Sequence, residues 1–231
     1  MNSHFLYLIL NFSCVIFPIL LSFDKKVAFF KLWKSLFTSI FISALFFIIW
    51  DILFTSQGIW SFNPNYITGI YIYNLPIEEV LFFFTVPYSC IFIYEVVNAY
   101  FKRDVIGCGK PYASVVAVIS FILCILYFDK MYTLVNAGLC STLLVFAVFV
   151  YKSENLGRFF LAYIIALIPF LICNGILTSL PVVIYNNSEN MNIRLFSIPL
   201  EDVFYCLSLM LLPILIMDFL KNKFEIFQKT N

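Results

Sequence analysis

The sequence predicts an all-α polytopic membrane protein in which seven transmembrane helices form two parallel three-helix repeats joined by a linker helix. The first observation behind this prediction is composition: 63% of the 231 residues are apolar and only 12% are charged, whereas an average soluble domain carries about 25% charged residues. The second is that the apolar residues form runs long enough to cross a bilayer, which takes roughly 20 residues. The third is an internal repeat with an acidic motif in each copy.

Seven apolar runs are expected to be spans, and in chain order they cover about 5–23, 33–54, 76–97, 112–128, 132–151, 159–180 and 199–220. The first run has no basic residue before it and no small-residue cleavage site, so we interpret it as a span and not as a removable signal peptide. The fourth is short for a full crossing and serves as the linker. The predicted domains are a first repeat at 1–98, a linker with the fourth span at 99–131 and a second repeat at 132–231.

The basic residues predict the orientation in the membrane. Of the 14 Lys and Arg residues, only Lys130 and Arg194 fall on one side of this arrangement and all others fall on the opposite side. Because cytoplasmic loops are enriched in Lys and Arg, we expect the N-terminus outside and the C-terminus in the cytoplasm. The membrane would be the cytoplasmic membrane if the source is bacterial. The net charge of +1 gives no indication of a nucleic-acid partner.

An internal repeat relates the two halves. A shift of 123 residues aligns 51–98 with 174–221 without a gap. The matched positions include Asp51 with Asn174, Asn63 with Asn186, Pro76 with Pro199, Glu78 with Glu201, Glu79 with Asp202 and Glu95 with Asp218. Sites in repeat-built membrane proteins commonly lie between the halves. We therefore expect the two acidic pairs to face each other across that interface.

The acidic pairs Glu78–Glu79 and Glu201–Asp202 each stand at the start of an apolar span. Ionisable groups inside a membrane are costly and so indicate function. Paired carboxyl groups in a dry site offer an acid beside a base. Such a pair could protonate a carbon–carbon double bond, and the resulting cation needs π-electron density nearby. Phe82 and Tyr205, one helical turn beyond Glu78 and Glu201, lie on the correct face to supply it.

Plainer explanations stay open at this point. Glu78 and Glu201 follow a proline near a helix start, where Glu often caps the helix. Segment 55–75, which is uncharged and contains Trp60, is either a lid over the bundle or an aromatic belt at the membrane surface. Asp51 is explained equally well as a side chain that reaches the interface. Arg194, in the matching segment, is positioned to pair with one of the carboxylates.

Cofactor and metal sites are not predicted. The seven cysteines contain no C-x-x-C pair, and His4 is the only histidine, which argues against zinc and against His-rich iron centres. Gly107-Cys108-Gly109 lacks the third glycine of a dinucleotide fingerprint. Glu95 and Asp218 close spans 3 and 7, and we interpret them as solvated ends or as partners of nearby Lys and Arg.

The chain resembles the integral-membrane lycopene cyclases of the heterodimeric or fused type. The resemblance lies in WDILFTSQGIWSFNPNYITGIYIYNLPIEEVLFFFTVPYSCIFIYE at 50–95 and in NGILTSLPVVIYNNSENMNIRLFSIPLEDVFYCLSLMLLPILIMD at 174–218. The paired P-x-E-[ED] motifs, with W-D and N-G-x-L-T upstream, carry it. One departure is Met217-Asp218, where many relatives would have Tyr-Glu.

The resemblance implies a lycopene β-cyclase that converts lycopene ψ-ends to β-rings, giving β-carotene, as an intramolecular lyase or isomerase without flavin or net redox change. It implies a linear carotene substrate, a lipid environment and no obligatory second cyclase subunit, because both halves lie in one chain. The implied catalytic residues are Glu78, Glu79, Glu201 and Asp202. From the repeat, the helix faces and the connecting segments, the predicted supporting residues are Asp51, Asn174, Trp60, Asn63, Phe82, Asn186, Arg194 and Tyr205. Donor and base, ring type and oligomeric state stay open.

Two other classes of membrane protein fit the sequence less well. A small repeat-built transporter would use the carboxylates for proton coupling, but it predicts more polar residues along the spans than this sequence has. A retinal protein needs a lysine within span 7, and no lysine occurs there before Lys221. The cyclase hypothesis predicts that Glu78→Gln and Glu201→Gln each abolish or cripple cyclisation.

Overall fold

A computed structural model describes residues 4–101, 107 and 109–230, with side chains as far as residue 221. Seven α-helices make up most of this described part, which confirms the all-α class. They are α1 (Leu6–Leu21), α2 (Trp33–Ser56), α3 (Ile77–Tyr100), α4 (Gly109–Leu126), α5 (Met131–Val145), α6 (Leu156–Ser179) and α7 (Glu201–Thr230). A π-helical turn, Phe146–Val150, extends α5.

Six of these helices, α2 to α7, are long and apolar enough to cross a membrane, and they indicate an integral membrane protein. The helix α1 has 16 residues, or about 24 Å at about 1.5 Å per residue, which is less than the roughly 30 Å of a hydrocarbon core. The helix α4, which we expected to be short, meets the length requirement with 18 residues. The seven crossings and their orientation stay predictions.

The two halves are interleaved. The helix α1 packs on α3, and its counterpart α5 packs on α7. The third helix of each half also packs on the second helix of the other half, so α3 contacts α6 and α7 contacts α2. The helix α4 lies against α5 and α6. Because α3 and α7 are both central, the acidic motifs at their first turns lie inside the bundle.

A short antiparallel sheet joins the halves at the end of the bundle where α3 and α7 begin. Strand β1 (Trp60–Phe62) pairs with β4 (Val183–Tyr185), with Trp60 opposite Tyr185 and Ser61 opposite Ile184. Ser61 and Ile184 are separated by the same 123 residues as the aligned acidic motifs. The pairing is thus symmetric about these two residues, and each half contributes one strand of the cover over the site.

A small hairpin precedes each central helix. Strands β2 (Tyr71–Ile72) and β3 (Leu75–Pro76) precede α3, and β5 (Arg194–Leu195) and β6 (Ile198–Pro199) precede α7. The turn residues Tyr73 and Phe196 occupy matching positions, with φ of 60° and 58°, a conformation uncommon outside glycine. The two alternatives for segment 55–75 therefore apply to different parts of it. Trp60 is buried over the bundle, as in a lid, whereas Tyr73 is 82% exposed.

Candidate active site

All four acidic residues of the paired motifs are buried. The exposed fraction is 0% for Glu78, 8% for Glu79, 2% for Glu201 and 1% for Asp202. Each pair lies in the first turn of its helix, where the positive end of the helix dipole favours a carboxylate. Buried polar groups need hydrogen-bond partners, and these partners divide the four residues into two kinds.

Glu78 and Glu201 hold the connecting segments against the helix starts. The Thr68 backbone N–H donates to Glu78 Oε1 over 2.7 Å, and the Met191 N–H donates to Glu201 Oε1 over 2.6 Å. Thr133 Oγ1 adds a second hydrogen bond to Glu201 Oε1 at 2.6 Å. These bonds fasten a loop, in keeping with the structural alternative, although neither carboxylate caps its own helix.

Glu79 and Asp202 have a different position, because both line one small cavity between the two halves. The cavity has a volume of about 40 Å³ and is lined mainly by aromatic rings. Trp60 of the first half contacts Tyr132 and Tyr185 of the second edge-on, with ring centroids 5.2 and 6.1 Å apart. The site therefore contains one acid from each half.

The Glu79 carboxyl lies next to another carboxyl group. The Tyr7 hydroxyl donates to Glu79 Oε2 over 2.5 Å, and Asp51 lies within hydrogen-bonding reach of Glu79. Asp51 also accepts hydrogen bonds from Trp60 Nε1 at 2.5 Å and from Thr55 Oγ1 at 3.1 Å. Because two carboxylates in buried contact repel each other, this arrangement favours a proton shared between Asp51 and Glu79.

The Asp202 carboxyl is surrounded by donors. It accepts a hydrogen bond from the Tyr132 hydroxyl, one from Asn174 Nδ2 at 2.5 Å and one from the Tyr185 hydroxyl at 3.1 Å. Burial raises the pKa of Tyr185 well above its usual value, so its hydroxyl keeps the proton that it donates. Three donated hydrogen bonds suit an ionised carboxylate, which only accepts.

Sequence reasoning missed the residues of α1 and α5 that hold these acids. Tyr7 and Tyr132 bind Glu79 and Asp202, while Asn11 Nδ2 donates to the Glu78 carbonyl at 3.0 Å and Asn136 Nδ2 donates to the Glu201 carbonyl at 2.6 Å. The available signal was the Y-x-x-x-N spacing at the start of both helices. These pairs are 125 residues apart rather than 123, so the ungapped alignment, which began at residue 51, did not include them.

The predicted supporting residues divide between the cavity and the loops. The residues Asn174, Phe82, Tyr205 and Trp60 line the cavity, and Asp51 binds to Trp60 behind it. Asp51 is only 2% exposed, so the interpretation that it reaches the membrane interface was wrong. The reason is that the paired strands and Trp60 cover the end of α2.

Three other predicted residues lie in the loops. Asn63 accepts a hydrogen bond from Asn65 N at 3.0 Å, and Asn186 accepts one from Ser188 N at 3.1 Å, so both stabilise turns. The pairing of Arg194 with an acid of the motif was wrong. Among the described side chains its guanidinium binds Ser197 O at 2.6 Å and Asn187 Oδ1 at 2.5 Å, because the β5–β6 hairpin directs it outward.

At the opposite end of the bundle, Glu95 has the basic partner expected for it. Lys221 Nζ lies 3.0 Å from Glu95 Oε1. This ion pair joins the ends of α3 and α7 far from the acidic cavity.

Comparison with known proteins gives a family match over most of the chain. A sequence model described as lycopene cyclase matches residues 4–97 and 129–220. The bifunctional lycopene cyclase/phytoene synthase of Aspergillus oryzae (strain ATCC 42149 / RIB 40) is 32% identical over 66 residues, which cover 29% of this chain and 11% of that protein. The matched part is therefore a small fraction of that relative's length, and no solved structure matches the chain. Since the family match extends over both halves and most of the chain, the protein belongs to the lycopene cyclase family.

Proposed function

We propose that this protein is a membrane carotenoid cyclase that converts the ψ-ends of lycopene to β-rings by adding one proton and removing another. Family membership supports a cyclase enzyme and a carotene substrate. The observation that carries the mechanism is the different hydrogen bonding of Glu79 and Asp202 within one aromatic-lined cavity. One group is arranged as an acid and the other as a base.

The proton donor is the Asp51–Glu79 pair. The proton that the two carboxyl groups share is delivered by Glu79, the member that lines the cavity, to the terminal double bond of the carotene. The electron pair of the neighbouring double bond then attacks the cation and closes a six-membered ring. Asp51 stabilises the ionised pair through the hydrogen bonds that it receives from Trp60 and Thr55.

The base is Asp202. It removes a proton from the ring cation and forms the new double bond, so the product is an isomer of the substrate and no oxidant or reductant is consumed. The ring proton that is removed decides between β, γ and ε products. The rings of Trp60, Phe82 and Tyr205 line the cavity, where π-electron density stabilises a cation.

We also propose that all seven helices cross the membrane, with the N-terminus outside. The roughly 24 Å of α1 would require local thinning of the bilayer, which is a modest cost. The acidic cavity would then lie near the external face. The two repeats and the linker would keep the boundaries predicted above, with both halves of the cyclase in one chain.

The direct test is expression in cells that accumulate lycopene, followed by pigment analysis. We expect cyclic carotene from the wild-type chain and a loss of about 100-fold or more for Glu79→Gln, since general acid–base catalysis contributes 10²–10⁴-fold. The matched control is Asp129→Asn, which alters an exposed carboxylate. Equal cyclisation by Glu79→Gln, at equal protein level, would refute the mechanism, and ε- or γ-ring products would refute the β assignment.

A further inference from the structure

A large apolar groove leads into the acidic cavity from one side. It lies between α1, α3 and α6 and has a volume of about 330 Å³, at the lower end of the range for small-molecule sites. The residues Tyr7, Phe82, Phe170 and Asn174 line both the groove and the cavity. The two spaces are therefore neighbours that share one wall.

The groove runs from the outer surface of the helices to the buried acids. At one end Phe17 is 68% exposed, and at the other end Tyr7 is 2% exposed. The rise between them along α1 is about 15 Å, at about 1.5 Å per residue. Between these ends α1 and α6 meet at Cys14 and Cys173, whose sulfur atoms lie 3.0 Å apart.

The second half has no equivalent groove among the described residues, because aromatic side chains fill the corresponding position. Residues 123 positions before Cys173 and Phe170 are Trp50 and Phe47. Both are buried, and their rings pack against Tyr205 at centroid distances of 5.4 and 5.6 Å. The indole of Trp50 thus occupies the position that corresponds to the small thiol of Cys173 in the groove.

We propose that this groove binds the linear polyene chain of the carotene and is the side through which the chain enters from the lipid. This inference rests on the proposed function. The ψ-end would reach Glu79 and Asp202, while the remainder of the hydrocarbon lies along α1 and α6. Because Trp50 fills the matching side, the described residues form no equivalent groove on the second half.

The first experiment blocks the groove with the residue that fills its counterpart. Cys173→Trp is expected to reduce cyclisation by about 100-fold, the scale of a small misplacement of substrate. The matched control is Ile172→Trp on the same helix, where the side chain is 61% exposed, and it should stay within about twofold of the wild type.

The second experiment measures occupancy without relying on turnover or on a variant. Membranes kept under reducing conditions, with or without lycopene, are treated with a maleimide, and labelling of each cysteine is followed by mass spectrometry. Lycopene should slow labelling of Cys14 and Cys173 several-fold and leave the half-buried Cys124 on α4 unchanged.

The outcomes separate the two proposals. A wild-type chain that forms no cyclic carotene overturns the proposed function. In that case, protection of Cys14 and Cys173 from the maleimide by lycopene still tests whether the groove binds the polyene. A wild-type chain that cyclises lycopene while Cys173→Trp cyclises equally well, or while lycopene leaves Cys14 and Cys173 unprotected, overturns the groove alone.

Discussion

Residues at matching positions surround Glu79 in the first half and Asp202 in the second half. One of these matching positions is a carboxyl in the first half and an amide in the second. In the first half Tyr7 and Asp51 surround Glu79, and in the second half Tyr132 and Asn174 surround Asp202. The matching residues Asp51 and Asn174 have nearly the same shape, but one is a carboxyl and the other an amide. The amide donates a hydrogen bond to its acid, whereas the carboxyl must share a proton with its acid.

This difference teaches how a repeated fold can supply both members of an acid–base pair. Two identical halves would present two acids with the same protonation state. The carboxyl of Asp51 favours a protonated Glu79 in the first half. The amide of Asn174, at the matching position, favours a charged Asp202 in the second half. The second half adds Tyr185 as a further donor, whereas the matching residue in the first half is Phe62.

The largest expected effect comes from removing the two cavity acids separately. Asp202→Asn should reduce cyclisation by about 100-fold or more, as Glu79→Gln does, because no base removes the ring proton and the cation reverts to lycopene by returning a proton to Glu79. The two variants should differ in deuterated water: recovered lycopene gains deuterium with Asp202→Asn, where the donor is intact, and gains none with Glu79→Gln. The reverse pattern would exchange the roles assigned to the halves.

The next effect comes from making the first site resemble the second. Asp51→Asn leaves Glu79 beside an amide, which removes the shared proton and favours an ionised Glu79. Cyclisation measured from pigment extracts should fall by about 10–100-fold, less than for loss of Glu79 itself. Asn174→Asp should also lower the rate, because a new carboxyl beside Asp202 competes for the base. Activity of Asp51→Asn equal to that of the wild type would show that the neighbouring carboxyl has no part in proton donation.

A smaller effect is expected from the tyrosines that support each acid. A hydrogen bond to a charged group contributes about 1.5–3 kcal/mol, so Tyr132→Phe should lower the rate by about tenfold or more. Tyr7→Phe should have a smaller effect, since Glu79 keeps Asp51 as a partner. Tyr112→Phe, at a half-exposed position on α4, is the control. A larger loss for Tyr7→Phe than for Tyr132→Phe would contradict the assignment of Asp202 as the charged member.

The helices were predictable because each is a long apolar run with polar ends. The spans expected at 33–54 and 76–97 match α2 (Trp33–Ser56) and α3 (Ile77–Tyr100) to within a few residues. The strand pairing of β1 with β4 was not predictable, since three-residue strands show no periodicity. It depends on contacts between segments more than 100 residues apart.

The four acids of the candidate site were identified from their repeated motif, but their different hydrogen-bond partners were not predictable. Glu78 and Glu79 are adjacent in sequence, and only the packing of α1, α2 and the loop around α3 distinguishes them. Asp51 approaches Glu79 because α2 packs on α3, and the sequence alignment alone gave no sign of that contact. Tyr7 and Tyr132 were missed because two more residues separate α1 from its acidic motif than separate α5 from its own.

The smallest effect on cyclisation is expected for substitutions of Glu78 and Glu201. These variants test whether the two adjacent acids of each motif differ in role. The sequence predicted that Glu78→Gln and Glu201→Gln abolish cyclisation, whereas the structure has both carboxylates binding loop N–H groups. A glutamine oxygen can still accept those bonds, so we expect activity per folded molecule within about threefold of the wild type and a stability loss of about 1–3 kcal/mol. Thermal unfolding in detergent and pigment analysis normalised to protein measure the two quantities. A 100-fold loss for Glu78→Gln without loss of stability would return Glu78 to the catalytic set, because a loop anchor has no route to such an effect.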